Sequence, residues 1–321
     1  MTTVSVTALD DVADRVRPLL DERLPLPGHG RTAERWRRLT EVARQDVVVG
    51  RLLEAHADAD AILAELTGER VQPGQWWGVW AAEPPQPVLE ARESAGRWTL
   101  HGGKAWCSGA GLCTHALVTA RIGPDLQEKA LFAVPLTEGG VEVDLTVWKA
   151  AGMARSATGT VTFDGVAARR LGSSADYLER AGFWHGGAGV AACWLGGAFA
   201  VADALGRAAA KRPLDDHAAA HLGAVDAALT GALWAMTAAA GELDQDPDSL
   251  LPARIRALRV RSLVEAAAAL TVDRVGRALG AGPLATDERH TTAVADVLVY
   301  VRQSHAERDL ATLGRLTAET P

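Results

Sequence analysis

The sequence predicts an α+β multidomain protein: a short helical N-terminal domain, a central antiparallel β domain and a C-terminal four-helix bundle. Three observations predict it. Apolar residues recur at helical spacing in 45-QDVVVGRLLEAHADADAILAEL-66, where Val47, Leu52, Leu53, Ala57, Ile62 and Leu66 fall near one face. From Val71 to about Leu171 the pattern changes to short alternating runs broken by Gly and Pro. From about Ser174 the chain is alanine-rich and helical in pattern to its end. There is no βαβα alternation, which argues against a doubly wound sheet or a β/α barrel. The expected boundaries are 1–70, 71–172 and 173–321.

In chain order, helices are expected over 8–22 and 32–67. Strands are expected at 97-RWTLHG-102, 115-HALVTARI-122, 130-ALFAVPL-136, 141-VEVDLTVW-148 and 158-TGTVTFDGV-166. Four helical blocks follow, over 187–212, 217–243, 249–280 and about 287–318. Pro213, 246-DPDS-249 and 280-GAGP-283 separate them.

Composition bounds the function. Hydrophobic residues are 48% and charged residues 23%, as in an ordinary globular protein. The net charge of -7 argues against nucleic-acid or anionic-membrane partners. No continuous apolar run reaches the ~18 residues of a membrane span. The first residues lack the basic and apolar pattern of an export signal, so a cytoplasmic protein is expected. Cys107, Cys113 and Cys193 have no metal-knuckle spacing and read as reduced thiols. No metal site is expected.

Several motifs need weighing. Trp76, Trp77, Trp80, Trp98 and Trp106 cluster, and two readings stay open: a Trp-rich core, or a wall for a planar ligand. The run 186-GGAGVAAC-193 fits a dinucleotide fingerprint but lacks the buried strand that must precede it. A small-residue face for close helix packing accounts for it better. The pair in 217-HAAAH-221 has zinc spacing without the glutamate or a third ligand, and Asp215 and Asp216 before it suit a helix N-terminus. No nucleophile elbow is present. In 103-GKAWCSGAG-111, Gly103-Lys104 is followed by Ala105, so the stretch is not a phosphate loop.

The layout and several segments together resemble the acyl-CoA dehydrogenase superfamily, over nearly the whole chain from about Glu41. The family holds FAD with a Thr-Glu-Pro-like and a Trp-x-Thr-Asn-like segment; 80-WAAEPP-85 and 104-KAWCSGAG-111 look like these. The resemblance implies cofactor contacts from Trp80, Ala82, Glu83, Trp106, Cys107 and Ser108. Trp106 would flank the isoalloxazine, and Ser108 would stand where a Thr hydroxyl approaches flavin N5. Ala82 replaces the family's Thr. The segment 152-GMARSATGTVTFDGVAARRLG-172 resembles the end of the family's β domain, and Arg155 in it is a candidate for a polar or anionic substrate group. Arg212 lines up with the family's pyrophosphate arginine. Gly280 and Gly282 fit its Gly-rich turn, where Arg277 replaces a Gln.

By the same resemblance the activity would be α,β-dehydrogenation of an acyl thioester such as an acyl-CoA, which needs a carboxylate base. The base position falls on Ser304, with His305 next to it; the family's other base position falls near Gly186 or Gly187. Neither is a carboxylate. Glu179 and Glu307 are the nearest carboxylates and need a shift in register. A His in this final segment resembles the family's flavin monooxygenase branch, the dibenzothiophene monooxygenase-like and hydroxyphenylacetate hydroxylase-like enzymes, which use reduced flavin and oxygen. That makes His305 and His185 candidates and implies a flavin reductase partner. A non-catalytic family member is the third reading. Alanine-rich helix faces predict a homodimer or homotetramer.

Overall fold

The computed structural model describes residues 6–319, which divide into two compact units. The first holds residues up to Leu24, Leu52–Lys149 and Ala154–Phe183. The second holds Pro25–Arg51, Ala150–Met153 and Trp184 onward.

The first unit is built on helix α1 (Val6–Leu20), most of α3 (Val47–Thr67) and seven strands: β1 (Trp77–Trp80), β2 (Leu89–Ser94), β3 (Arg97–Cys107), β4 (His115–Ile122), β5 (Glu128–Pro135), β6 (Val141–Asp144) and β7 (Gly159–Ser173). Helix α4 (Ser174–Leu178) closes it. Strands β4, β2, β3, β7 and β5 form a closed ring, because β5 also pairs with β4. β1 extends beside β4 and β6 beside β7. Most pairings are antiparallel, as expected, but β4 runs parallel to both β1 and β2. Both of those strands are too short or too polar in sequence to stand out as alternating runs.

Alternation along β4 and β5 serves two cores. Ala116, Val118, Ala120, Phe132 and Val134 fill the ring with Leu100, Phe163 and Val166. Leu117, Leu131 and Ala133 face the other way, onto Ile62 and Leu63 of α3 and Tyr177 of α4. His56 of α3 ties this layer together. Its Nε2 donates to the Leu20 carbonyl at 3.2 Å, and its Nδ1 accepts from the Trp77 N–H at 3.2 Å.

The second unit contains α2 (Thr32–Gln45), the start of α3, α5 (Ala181–Lys211) from Trp184, α6 (Asp216–Gln245), α7 (Leu250–Leu279), α8 (Gly282–Thr286), α9 (Glu288–Tyr300) and α10 (Glu307–Glu319). Two expected helices are broken. The 32–67 pattern splits at Asp46, whose Oδ1 accepts from the N–H groups of Val48 and Val49 and starts α3. The 287–318 pattern splits after Tyr300. Ser304 turns extended there and its Oγ accepts from the Ala306 N–H at 3.1 Å.

In the 186–193 run of α5 a Cβ on Gly187 or Gly189 would meet its neighbours only at ordinary distances of 3.8–4.0 Å; the close approach comes just after it. A Cβ on Gly196 would collide with the Thr40 carbonyl oxygen and lie 2.8 Å from Ala43 Cβ on α2. One on Gly197 would lie 2.5 Å from Val297 of α9. Helices α5 and α6 are both long and apolar enough to cross a membrane by length and composition. α5 buries 78% of that stretch and α6 only 28%.

Candidate functional site

The end of β3 is the most unusual backbone of the first unit. β3 slips against β7 once between Leu100 and His101, runs in register from His101↔Asp164 to Lys104↔Val161, then slips again so that Cys107 faces Gly159. The extra residue is absorbed by a bulge in which Trp106 adopts φ 57°. A left-handed conformation is strained for a bulky residue and persists only where its surroundings enforce it. Here the bulge turns the indole outward, and Trp106 is 61% exposed.

The other four clustered tryptophans behave differently. Trp76, Trp77 and Trp80 are buried. Trp77 stacks on His115 at 4.8 Å, and Trp98 packs on Phe132 at 5.4 Å beneath Arg170. The core reading therefore holds for these, and the wall reading is left to Trp106. Trp80, an expected cofactor contact, is a core residue by its side chain. Its ring lies in the β core, and its Nε1 donates to the Ser108 carbonyl at 2.9 Å.

The turn after Trp106 is clamped. Gly109 N–H donates to the Ser156 carbonyl at 2.8 Å and Ala110 N–H to the Ala157 carbonyl at 3.0 Å. Behind it runs a line of buried hydroxyls. Ser156 Oγ lies 2.6 Å from Thr158 Oγ1, which donates to Ser108 Oγ at 3.3 Å. Ser156, Thr158 and Ser108 are all buried.

Two neighbours of the turn are spoken for. The Cys107 thiol is buried and donates to the Lys104 carbonyl, and burial pushes its pKa well up. Lys104 is also buried. Its ammonium donates to Glu83 Oε1 at 2.6 Å and to both oxygens of Thr119 at 2.8 Å. Burial lowers the Lys104 pKa, against the pull of Glu83. Burial also opposes ionisation of Glu83, but Lys104, Thr119 and the Lys129 ammonium at 3.6 Å outweigh it and hold the carboxyl below its ordinary value. Glu83 thus closes an internal ion pair, and half-buried Ala82 sits beside it. Arg155 lies half-buried in a single helical turn, Ala154–Ser156, between Met153 and Ala157, which are both left-handed.

The remaining candidates belong to the second unit. Arg212 is exposed just past α5. Arg277 is exposed and bonded through Nε to Asp273 at 3.0 Å. Gly280, at φ 68°, ends α7, and Gly282 opens α8, so both have structural employment. His185 is buried, and its Nε2 donates to the Pro247 carbonyl at 2.8 Å. Ser304 caps a turn; Glu307 is exposed at the start of α10. His305 is exposed. Its backbone N–H donates to Asp309 at 3.3 Å, and its Nδ1 lies 3.4 Å from the same carboxylate.

Two residues absent from the sequence reading organise this region. Asp309, one helical turn on, places its carboxylate beside Nδ1 of His305. Arg261 stacks on Trp194 at 4.6 Å. It donates through Nη1 to the Gly187 carbonyl at 2.8 Å and through Nη2 to the Gln303 carbonyl at 3.1 Å. The family resemblance puts the base at Ser304 or near Gly186 or Gly187, and this guanidinium bonds the carbonyls of Gly187 and of Gln303, the residue before Ser304. Among the described residues no group of three or more His, Cys, Asp or Glu side chains is arranged to hold a metal ion.

Residues 82–166, from the Ala82–Glu83 segment through most of β7, match the family model of the acyl-CoA dehydrogenase middle domain. Solved structures match along nearly the whole length. The chain carries the acyl-CoA dehydrogenase fold. KijD3, solved with FMN and dTDP-3-amino-2,3,6-trideoxy-4-keto-3-methyl-D-glucose, is 18% identical with a TM-score of 0.79, over 97% of this chain and 91% of that one. The nitrososynthase of Micromonospora carbonacea var. africana is 19% identical with a TM-score of 0.77, over 98% and 96%. The dibenzothiophene monooxygenase TdsC of Paenibacillus sp. A11-2 is 20% identical with a TM-score of 0.74, over 98% of each chain. At these identities the likeness establishes the acyl-CoA dehydrogenase fold and not a shared reaction. No curated protein matches the sequence.

Proposed function

We propose that this chain is a flavin-dependent monooxygenase: it takes reduced FMN from a separate reductase and oxygenates a small molecule. The observation that carries the reading is the chemistry at the two base positions. Dehydrogenation of an acyl thioester needs a carboxylate to take the α-proton. Ser304 stands at one position and Gly186 and Gly187 at the other, with Arg261 bonded to the Gly187 carbonyl and to the carbonyl of Gln303 beside Ser304. An arginine stays protonated and cannot accept a proton. Oxygenation by a reduced flavin requires no such base.

The residues of the first unit fit a flavin. Trp106 offers an exposed ring at its bulge, and Ser108 offers a hydroxyl bonded from behind by Thr158. When bound, reduced flavin supplies the electrons that activate oxygen. Trp106 orients the flat ring system and keeps water off one face. Ser108 Oγ donates a hydrogen bond to it. FMN is favoured over the FAD that the wider family uses. KijD3 and TdsC were solved with FMN, and here Arg277, offered for a phosphate, is engaged by Asp273.

The test is an anaerobic titration of the purified chain with reduced and oxidised FMN, followed by oxygen uptake with a flavin reductase and NADH. Tighter binding of reduced FMN, and oxygen uptake that stops without the reductase, are expected. Bleaching of bound oxidised flavin by an acyl thioester without oxygen would restore the dehydrogenase reading. A chain that binds flavin in neither redox state would be a non-catalytic member of the fold.

A further inference from the structure

We infer that Thr158 is a positioning residue: it fixes Ser108 as an outward hydrogen-bond donor and so sets how tightly, and with what electronic character, the chain holds FMN. The inference rests on the flavin reading above and adds a residue that no contact with the cofactor would reveal.

A hydroxyl has one proton to donate and two lone pairs to accept with. Thr158 Oγ1 donates to Ser108 Oγ, so its only proton is committed. Either hydroxyl can donate in the 2.6 Å contact between Ser156 Oγ and Thr158 Oγ1, and a Thr158 proton given to Ser108 makes Ser156 the donor there. The line then runs Ser156 to Thr158 to Ser108. A lone pair of Ser108 is occupied from behind, and its own proton is directed away from Thr158. Hydrogen bonds in such a line polarise one another in the same direction, which makes Ser108 a stronger donor than an isolated serine.

The line is separable from the fold. Gly109 and Ala110 are held by backbone bonds to Ser156 and Ala157, and the Ser108 carbonyl is held by Trp80 Nε1. None of these uses the Thr158 hydroxyl. Removing that hydroxyl while keeping its volume therefore alters the proton on Ser108 and leaves the turn in place.

The experiment uses the full chain and FMN as the probe. Thr158→Val, Thr158→Ser, Ser108→Ala and the double variant Ser108→Ala/Thr158→Val are titrated with FMN in both redox states. The visible absorption of bound flavin is recorded, with thermal unfolding as the fold control. Thr158→Val should weaken FMN binding about three- to tenfold, the effect of one ordinary hydrogen bond, and shift the flavin band. Thr158→Ser should restore both. In the Ser108→Ala background Thr158→Val should have no further effect, because the group it acts through is gone. Wild-type affinity and spectrum in Thr158→Val, or an additive loss in the double variant, would overturn the inference. Should Thr158→Val fail to fold, Ser108→Ala and Thr158→Ser decide the matter: loss with the first and wild-type behaviour with the second support it, while loss with both counts against it. Wild-type chain that binds no FMN in either state overturns the flavin reading and this inference together, and that failure is visible before any variant is made.

Discussion

Trp106 is the residue where structure and function pull against each other. Its left-handed backbone costs on the order of 1–3 kcal/mol in a non-glycine residue, and its exposed ring recovers little of that by burial. Glycine tolerates this conformation, at an unfolded-state cost of about 0.5–1 kcal/mol. Trp106→Gly is therefore expected to raise stability by about 1 kcal/mol in denaturant unfolding while lowering FMN affinity at least about tenfold. Trp106→Phe should keep both the strain and most of the binding. A Trp106→Gly variant less stable than wild type would show that the indole is held by packing and not exposed for a ligand. The composition places five tryptophans in one region and cannot rank them. What singles out Trp106 is a slip between β3 and β7, and a pairing register is invisible in one strand's residues.

At the scale of elements, the legible part was the part written in periodicity. The order of helices and strands and the class of the central sheet follow from spacing alone. The breaks do not. Asp46 and Ser304 sit inside apolar patterns that continue past them, and the side chain of each caps the segment that follows, which leaves the hydrophobic repeat untouched. Strands β1 and β2 were missed because four to six residues hold too few alternations. The candidate site suffered more. Thr158, Asp309 and Arg261 act through neighbours distant in sequence or one helical turn away, and no motif marks them. The glycines of α5 give a test internal to one helix. Gly196→Ala should destabilise by about 1–3 kcal/mol, since its methyl meets the Thr40 carbonyl. Gly206→Ala, with open space around it, should stabilise by about 0.5–1 kcal/mol. Equal effects at the two positions in thermal melts would refute the close-packing account of α5.

At the scale of the whole molecule, two properties follow from what each unit leaves buried or bare. His56, His115 and His290 are each pushed below the ordinary histidine value of 6.5, in each case chiefly by burial. The unfolded chain therefore binds protons near that value which the folded chain still refuses. Stability is fully present above it and is lost as pH falls from about 7 toward 5, by up to ~1.4 kcal/mol per pH unit for each group. Urea midpoints measured across that range should fall with acid, and His56→Asn should flatten the slope; a midpoint independent of pH would mean that these rings are protonated in place. Helix α6 raises the other property. Its apolar stretch stays largely uncovered, with Leu233 and Trp234 exposed and Gly223, Gly231 and Gly241 in open space. Within the second unit, small residues on α5 let helices approach closely, and among the described residues nothing lies within 4 Å of a Cβ built at those glycines of α6. The occupant we expect is a second copy of this chain, whose α6 offers an identical small-residue face for self-complementary packing. Light scattering after gel filtration, without detergent, should give a dimer or tetramer, and Trp234→Glu should shift it toward monomer, with FMN binding retained because the Trp106 turn lies in the other unit. A monomeric wild type would assign that face to a different partner.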